Sequence, residues 1–561
     1  MIYCFWMLLL PTVTLAQGWG QWGQNSRHTG SVNIVGQSPD RILSTVVIDP
    51  WVPQKVNDSG GDLLAHYPSP VVDGNDVFLM LERGVYASCA DGADPCGTDA
   101  WNLLKWSVRR YAWSDQGTLD AVWIFDTDWS PVPGVGWEPV FHPVLAGDFV
   151  YAPGAGGTVW KINRADGSAT AQINPFSTID PNTYVAGPLT ADDLGNVYYS
   201  VIQLDPVQPW SRDAVSSSLV KVMLDGTTLI ASYASLTPGA PASRDQCIGV
   251  FTNSQRPWPP STTAVPGSSF CGSQRPGINI SPAVAKDGTI YTLSRAHLNS
   301  RYSYLIAVNP DLTPKWISTL RGHLNDGCGV TIPISNSDGC RAGAKPGVDY
   351  QTNDLPAGRI SDLASSTPVV APDGSVLFGS YTSYNAQRGH LLHFDSTGAF
   401  LNSYDFGWDT TPVIYEHDGT YSIILKDNHY GDGPYYITQL SPDMRVEWQF
   451  QSTNTASCVR NEDGTVSCTP DSNPTGFEWC VNAAAVDANG TVYANSEDGN
   501  LYAIGQGGVL QKQLFLNWAL GAAYTPLALG PDGTIYTQNA GTVFVVGADP
   551  AAVPVRKTLK R

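Results

Sequence analysis

The sequence predicts an all-β fold: a single eight-bladed β-propeller of four-stranded blades, closed by an N-terminal strand. Three observations carry this prediction. The composition, with 55 Gly, 41 Pro and 11% aromatic against 14% charged residues, favours strands joined by tight turns over helices. A strand-turn-strand phrase recurs eight times along the 561 residues. The last copy runs out of chain one strand short, and the N-terminal region holds a segment that can supply it.

The first 16 residues, MIYCFWMLLLPTVTLA, form an apolar run ending in Thr14-Leu15-Ala16 and read as a secretory signal peptide. Residues 17–39 form a lead-in segment, 40–548 the propeller, and 549–561 a basic tail around Arg556, Lys557, Lys560 and Arg561. No stretch after the signal reaches the ~18 uninterrupted apolar residues of a membrane span. A secreted or periplasmic monomer is expected.

The repeat sets the ring. Each copy has a small or polar residue, usually Pro, an apolar pair, a Gly-containing turn and a second apolar run. The copies are SPVVDGNDVFLM from Ser69, HPVLAGDFVYA from His142, GPLTADDLGNVYYSV from Gly187 and SPAVAKDGTIYTL from Ser281. They continue as TPVVAPDGSVLFG from Thr367, TPVIYEHDGTYSI from Thr411, AAAVDANGTVYAN from Ala483 and TPLALGPDGTIYT from Thr525. Asp-Gly or Asn-Gly supplies the positive φ of a hairpin turn in most of them. A third and a fourth strand follow, as in YLIAVNPDLTPKWISTL from Tyr304. Four strands per unit at a basic spacing of roughly 42 to 45 residues mark a propeller blade. The eighth copy ends after GTVFVVGA from Gly541, so ILSTVVIDPW from Ile42 is expected to close the ring as its outer strand.

Cysteine and charge bound the chemistry. Without Cys4, nine cysteines fall in local groups within loop-like sequence. Pairing Cys89–Cys96, Cys247–Cys271, Cys328–Cys340 and Cys458–Cys468 would staple four loops in an oxidising compartment, leaving Cys480 unpaired, although Cys480 could replace either neighbour in the last group. No C-x-x-C pair and no nearby His at ligand spacing supports a metal site. With 31 basic against 50 acidic residues and a net charge of −19, the chain lacks the basic face of a nucleic-acid binder.

Insertion lengths divide the two faces of the ring. First-to-second and third-to-fourth turns are short, as in Lys286-Asp287-Gly288 and Ala165-Asp166-Gly167. Every long insertion falls on the other face, at about 236–278, 321–364 and 451–481 between blades and about 84–103, 203–217 and 426–434 within them. Long loops on a rigid scaffold are where function concentrates. Residues just before the innermost strands should surround the channel mouth on this loop face. The candidates are His66, Tyr67, Trp137, His142, Asn279, Trp408, Asp409, Asn482, Trp518 and Tyr524, with His429 from an insertion. Aromatic rings beside carboxylates and amides suit a sugar, another small polar ligand or a peptide. Packing between blades is the alternative for Trp408 and Trp518.

GTVYANSEDGNLYAI from Gly490 resembles the repeat of pyrroloquinoline-quinone (PQQ)-type propellers, the quinoprotein alcohol dehydrogenase-like superfamily. WGQWGQNSRHTG from Trp19 resembles the segment leading into many secreted members, and Trp123, Trp316 and Trp448 match that repeat's outer-strand Trp. The resemblance implies either a PQQ- and Ca²⁺-dependent alcohol or sugar dehydrogenase, or a non-catalytic relative serving envelope assembly. The sequence lacks the adjacent cysteine pair that many quinoproteins place against the quinone, and it lacks C-x-x-C-H. The expectation is therefore a non-catalytic propeller without a cofactor, binding a protein, envelope or glycan partner through its stapled loops. A propeller lyase or hydrolase, with His142, Asp409 and Tyr524 converging, is the other enzymatic reading.

Overall fold

The computed structural model describes residues 18–58, 60–61, 63, 65–87, 103–134, 141–324, 327–330, 340–382, 389–407, 409–428, 433–519 and 525–548. The expected signal peptide, basic tail and Cys89–Cys96 pair lie outside the described residues, as do Trp137, Trp408, His429 and Tyr524.

Eight antiparallel sheets form the blades. Blade 1 runs Val71–Asp73, Asp76–Gly84, Leu104–Trp113 and Leu119–Asp126 from the axis outwards. Blade 4 shows the fuller form, its innermost strand split into Gln274–Pro276 and Ala283–Val284 ahead of Ile290–Ala296, Ser303–Val308 and Pro314–Thr319. In blade 8, Ala528–Leu529, Ile535–Asn539 and Thr542–Gly547 are completed by Arg41–Val47, paired from Arg41 opposite Gly547 to Val47 opposite Thr542. The expected closure by the N-terminal strand is present, and it covers the edge the last blade would otherwise leave open. Apolar side chains of adjacent blades merge into shared seams; one contains Val77 and Leu79 of blade 1 with Val543 and Val545 of blade 8. Each fully buried aliphatic side chain contributes about 1.5–3 kcal/mol.

The recurring Asp-Gly-Thr/Ser has a local cause. Gly288, Gly374 and Gly533 each have φ near +83°, which glycine adopts without strain. Asp287, Asp373 and Asp532 accept the backbone N–H two residues on, at 2.9, 2.9 and 3.0 Å. Each then accepts the hydroxyl of that residue as well, at 2.9, 2.6 and 2.8 Å. The carboxylate reinforces the backbone hydrogen bonds that close each turn.

Two of the outer-strand tryptophans tie their blade to the next. Trp123 of blade 1 donates from Nε1 to Arg164 O of blade 2 at 3.0 Å, and Trp316 of blade 4 to Ser396 O of blade 5 at 3.0 Å. A Cβ at Gly167 or at Gly398 would lie 2.6 Å from the facing indole, so glycine is required under each ring.

The lead-in segment does more than precede the ring. Residues 18–37 pass round the inside of the channel and visit the blades in order. Trp19 exchanges two hydrogen bonds with Val72 of blade 1, and Gly20 O accepts from Leu145 N of blade 2. Gln21 pairs its side-chain amide with the backbone of Ala191 in blade 3. Ser26, Arg27, Thr29 and Gly30 then accept through their carbonyls from Val284, Val370, Ile414 and Val486, in blades 4 to 7, at 2.6–3.0 Å. Gln37 N reaches Gly533 O of blade 8 at 2.8 Å. Innermost strands present unpaired N–H groups to the axis, and this segment satisfies them. Gly30 has φ +65°, and a Cβ there would meet Val413 Cγ2 at 2.9 Å.

Three disulfides link Cys247–Cys271, Cys328–Cys340 and Cys458–Cys468, and Cys480 is free and buried. Such bonds are the chemistry of an oxidising, extracytoplasmic compartment. Among the described residues no helix is long and apolar enough to cross a membrane.

Candidate functional site

All three disulfides sit in insertions on the loop face, and the insertions carry structure of their own. Gln246–Ile248 pairs with Ser268–Phe270, and Ser457–Arg460 pairs with Val466–Thr469, as two small hairpins. The insertions before blades 4 and 5 interlock. Phe251 N donates to Gln351 O at 2.9 Å, Arg341 N to Trp258 O at 2.6 Å, and Asn353 Nδ2 to Ala264 O at 2.9 Å. The hairpin before blade 7 docks on the chain entering blade 8: Arg460 Nε and Nη2 donate to Leu516 O and Phe515 O, both at 2.7 Å. The result is a built platform over blades 4 and 5 with a second outgrowth beside blade 7.

Beneath it, the described mouth residues His66, Asp409 and Asn482 are buried. His66 and Asp409 are fully buried, with His66 Nε2 and Asp409 Oδ2 2.9 Å apart. Asp409 also accepts from Ser365 N at 2.8 Å, Ser365 Oγ at 3.0 Å and Ser366 Oγ at 3.1 Å. Asn482 Nδ2 donates to Ser365 Oγ at 2.6 Å, extending the network. Burial raises the pKa of Asp409, but the His66 contact and the other donors outweigh it, and its carboxyl lies below the usual range. Burial lowers His66 despite its carboxylate partner, so the pair holds a neutral imidazole whose Nε2–H donates. Lys426, close by, is also lowered by burial.

The remaining candidates are placed as follows. Tyr67 is buried and donates to Asp49 Oδ2 at 3.4 Å in the seam between blades 8 and 1. Asn279, at φ +63°, is buried and its N–H reaches Ala186 O of blade 3 at 2.8 Å. His142 lies on the axis, stacked on Trp22 with centroids 5.4 Å apart, and neither ring nitrogen has a hydrogen-bond partner. Burial, followed by neighbouring His28, lowers its pKa to about 3. Trp518 packs partly buried against the seam of blades 7 and 8. The structure thus brings His66, Asp409 and Asn482 into one network and keeps Tyr67, His142 and Trp518 apart from it.

Two further clusters lie under the loop platform. Cys480 Sγ donates to Glu497 Oε1 at 2.9 Å, and burial, ahead of Glu497, pushes Glu478 up to about 8. Burial also raises the Cys480 thiol, so it is a protonated, enclosed group, the opposite of a reactive cysteine. Between blades 4 and 5, Asp362 accepts from Arg275 at 2.9 and 2.6 Å and from Arg295 at 2.8 Å. Burial raises Asp362, but the two guanidiniums outweigh it and hold the carboxyl well below its ordinary range. The arginines of this region are dispersed in sequence and carry no motif, so sequence reading did not single out Arg295, Arg301 or Arg359. On the opposite face, a cavity of about 760 Å³ is floored by lead-in residues 24–33 and walled by blade turns of mixed charge, among them Asp192, Lys286, Glu416 and Asp487.

No protein-family model matches the chain, and no curated protein matches it in sequence. Solved structures do. A quinohemoprotein alcohol dehydrogenase from Comamonas testosteroni aligns with a TM-score of 0.50 at 11% identity, over 95% of this chain and 81% of that one. The quinohemoprotein alcohol dehydrogenase ADHIIG from Pseudomonas putida HK5 gives 0.48 at 10% identity over 96% and 82%. BamB from Moraxella catarrhalis gives 0.41 at 11% identity over 91% and 99%. At such identities the likeness is one of fold, and the chain has the eight-bladed architecture of the PQQ-type propellers.

Proposed function

We propose that the chain is a secreted, non-catalytic propeller whose disulfide-stapled loop face binds a protein, envelope or glycan partner. The observation that carries this reading is the interlocking of the insertions before blades 4 and 5, each stapled by its own disulfide. Ordering long loops costs conformational entropy, and a rigid, elaborated face on one side of a ring is the form a binding surface takes.

The residues at the mouth also bear on the alternatives. One reading of the resemblance implies PQQ with calcium, and the described residues around Asp409 do not favour that group. Asp409 already accepts from three donors besides His66, and the cavity it lines measures about 10 Å³, room for one water. Among the described residues no three His, Cys, Asp or Glu side chains gather as metal ligands. The hydrolase reading loses support as well, because His142 and Asp409 belong to separate buried environments.

Two measurements test the reading. The purified protein is applied to a glycan array and to immobilised envelope proteins, beside a Cys328→Ser/Cys340→Ser variant; saturable binding weakened in the variant is expected. Separately it is incubated with PQQ and Ca²⁺ while quinone absorbance and dye-linked alcohol or sugar oxidation are followed. Stoichiometric uptake that confers oxidation overturns the proposal.

A further inference from the structure

Blade 4 and the start of blade 5 bring three arginines to one cleft. Arg295 lies near the end of the strand Ile290–Ala296, Arg301 in the loop that follows, and Arg359 in the innermost strand piece Gly358–Arg359. With Ser268, Ser269 and Ser300 at its edge, they line a cleft of about 400 Å³ beneath the Cys247–Cys271 insertion.

The three guanidiniums are not equally neutralised. Arg295 donates to Asp362 Oδ2 at 2.8 Å, and Arg301 reaches Gln351 Oε1 at 2.8 Å and Asp349 Oδ2 at 3.5 Å. Arg301 is 6% exposed, yet its Nε has no hydrogen-bond partner. Arg359 Nε is likewise buried and without a partner. Its charged surroundings are chiefly Arg301 and Arg295; burial first, then these two, lower its pKa to about 9, which still leaves it a cation at neutral pH. Counting Arg275, four guanidiniums share two contacting carboxylates, Asp349 and Asp362. In a chain of net charge −19 this local excess of positive charge is opposite in sign to the whole. Crowding like charges at partly desolvated positions is unfavourable, and an unsatisfied buried N–H adds to it. A bound anion relieves both.

We propose that this cleft binds an oxyanion, a carboxylate, sulfate or phosphate carried by a ligand of about one sugar's size. Arginine forks meet the oxygens of such a group in pairs, and the seryl hydroxyls at the edge donate to its remaining oxygens or to adjoining hydroxyls. The site stands independently of the partner reading above, since it needs only the cleft and its arginines.

The test is isothermal titration calorimetry on the disulfide-intact protein with sodium sulfate, inorganic phosphate and sodium glucuronate, with chloride controlling for ionic strength. Saturable one-to-one binding of at least one probe is expected. The probe that binds separates a tetrahedral anion from a sugar carboxylate. Arg359→Gln should weaken binding about tenfold or more, the effect of losing one charge-assisted contact. Ser269→Asp, at an exposed position on the edge, should weaken it comparably without touching the buried cluster, and it decides the matter if Arg359→Gln fails to fold. No saturable binding of any of the three probes, or an affinity unchanged in the folded variants, overturns the proposal.

Discussion

His66 and Asp409 meet at 2.9 Å across the ring, although one precedes the innermost strand of blade 1 and the other that of blade 6. Their contact is a cross-tie at the mouth. Asp409 adopts φ +51°, a conformation Asp and Asn tolerate better than most residues. Replacing it by Ala strands three donors from Ser365 and Ser366 and one from His66, and adds backbone strain. Asp409→Ala should therefore lose about 4 kcal/mol in denaturant unfolding, and Asp409→Asn, which keeps an acceptor and the backbone preference, clearly less.

Three buried histidines give the fold a pH dependence. Burial lowers His28 to about 4 and His142 to about 3, and lowers His297 to about 4. Each is neutral in the folded chain, while its unfolded counterpart takes up a proton near pH 6.5. The unfolded state thus binds more protons between about pH 6.5 and 4, and stability falls as pH falls through that window. Each such group contributes up to about 1.4 kcal/mol per pH unit. His142→Phe, which keeps a ring against Trp22, should make the fall in Tm between pH 7 and pH 4.5 measurably shallower.

Gly30 tests the packing of the lead-in segment against blade 6. Its positive φ and the 2.9 Å approach of Val413 leave no room for a methyl group. Gly30→Ala should cost about 2 kcal/mol in thermal or denaturant unfolding, whereas Gly74→Ala, in a turn with nothing within 4 Å, should carry only the positive-φ penalty.

Asp362 supports two arginines of blade 4, Arg275 and Arg295. Removing its charge leaves Arg275, whose side chain is 1% exposed, without a counter-charge. Asp362→Asn should destabilise the chain by about 3 kcal/mol or more, and Asp362→Glu by less.

What the sequence disclosed and what it withheld have a common physical reason. Strand-turn-strand phrases are local, so the eight copies, the Asp-Gly turns and the closing strand at Ile42 could all be read in order. Cysteines spaced 24, 12 and 10 residues apart pair locally, and those three pairings are present. Contacts between distant residues left no such trace. The sequence placed His66, Asp409 and Asn482 near the axis but could not show that Ser365 joins them in one buried network. It marked Trp19 to Gly30 as a lead-in without showing that its carbonyls reach successive blades. Arg295, Arg301 and Arg359 meet only because two blades are neighbours.

The central claim is that the lead-in segment occupies the channel and satisfies the inner-strand amides of successive blades. Native-state hydrogen exchange tests it most directly, at the amides of Leu145, Val284, Val370, Ile414 and Val486 that donate to the lead-in carbonyls. The account predicts exchange as slow as that of the second-strand amides in the same blades, in the absence of any added ligand. Exchange within minutes at these positions, while the second strands stay protected, would show an open channel and contradict it.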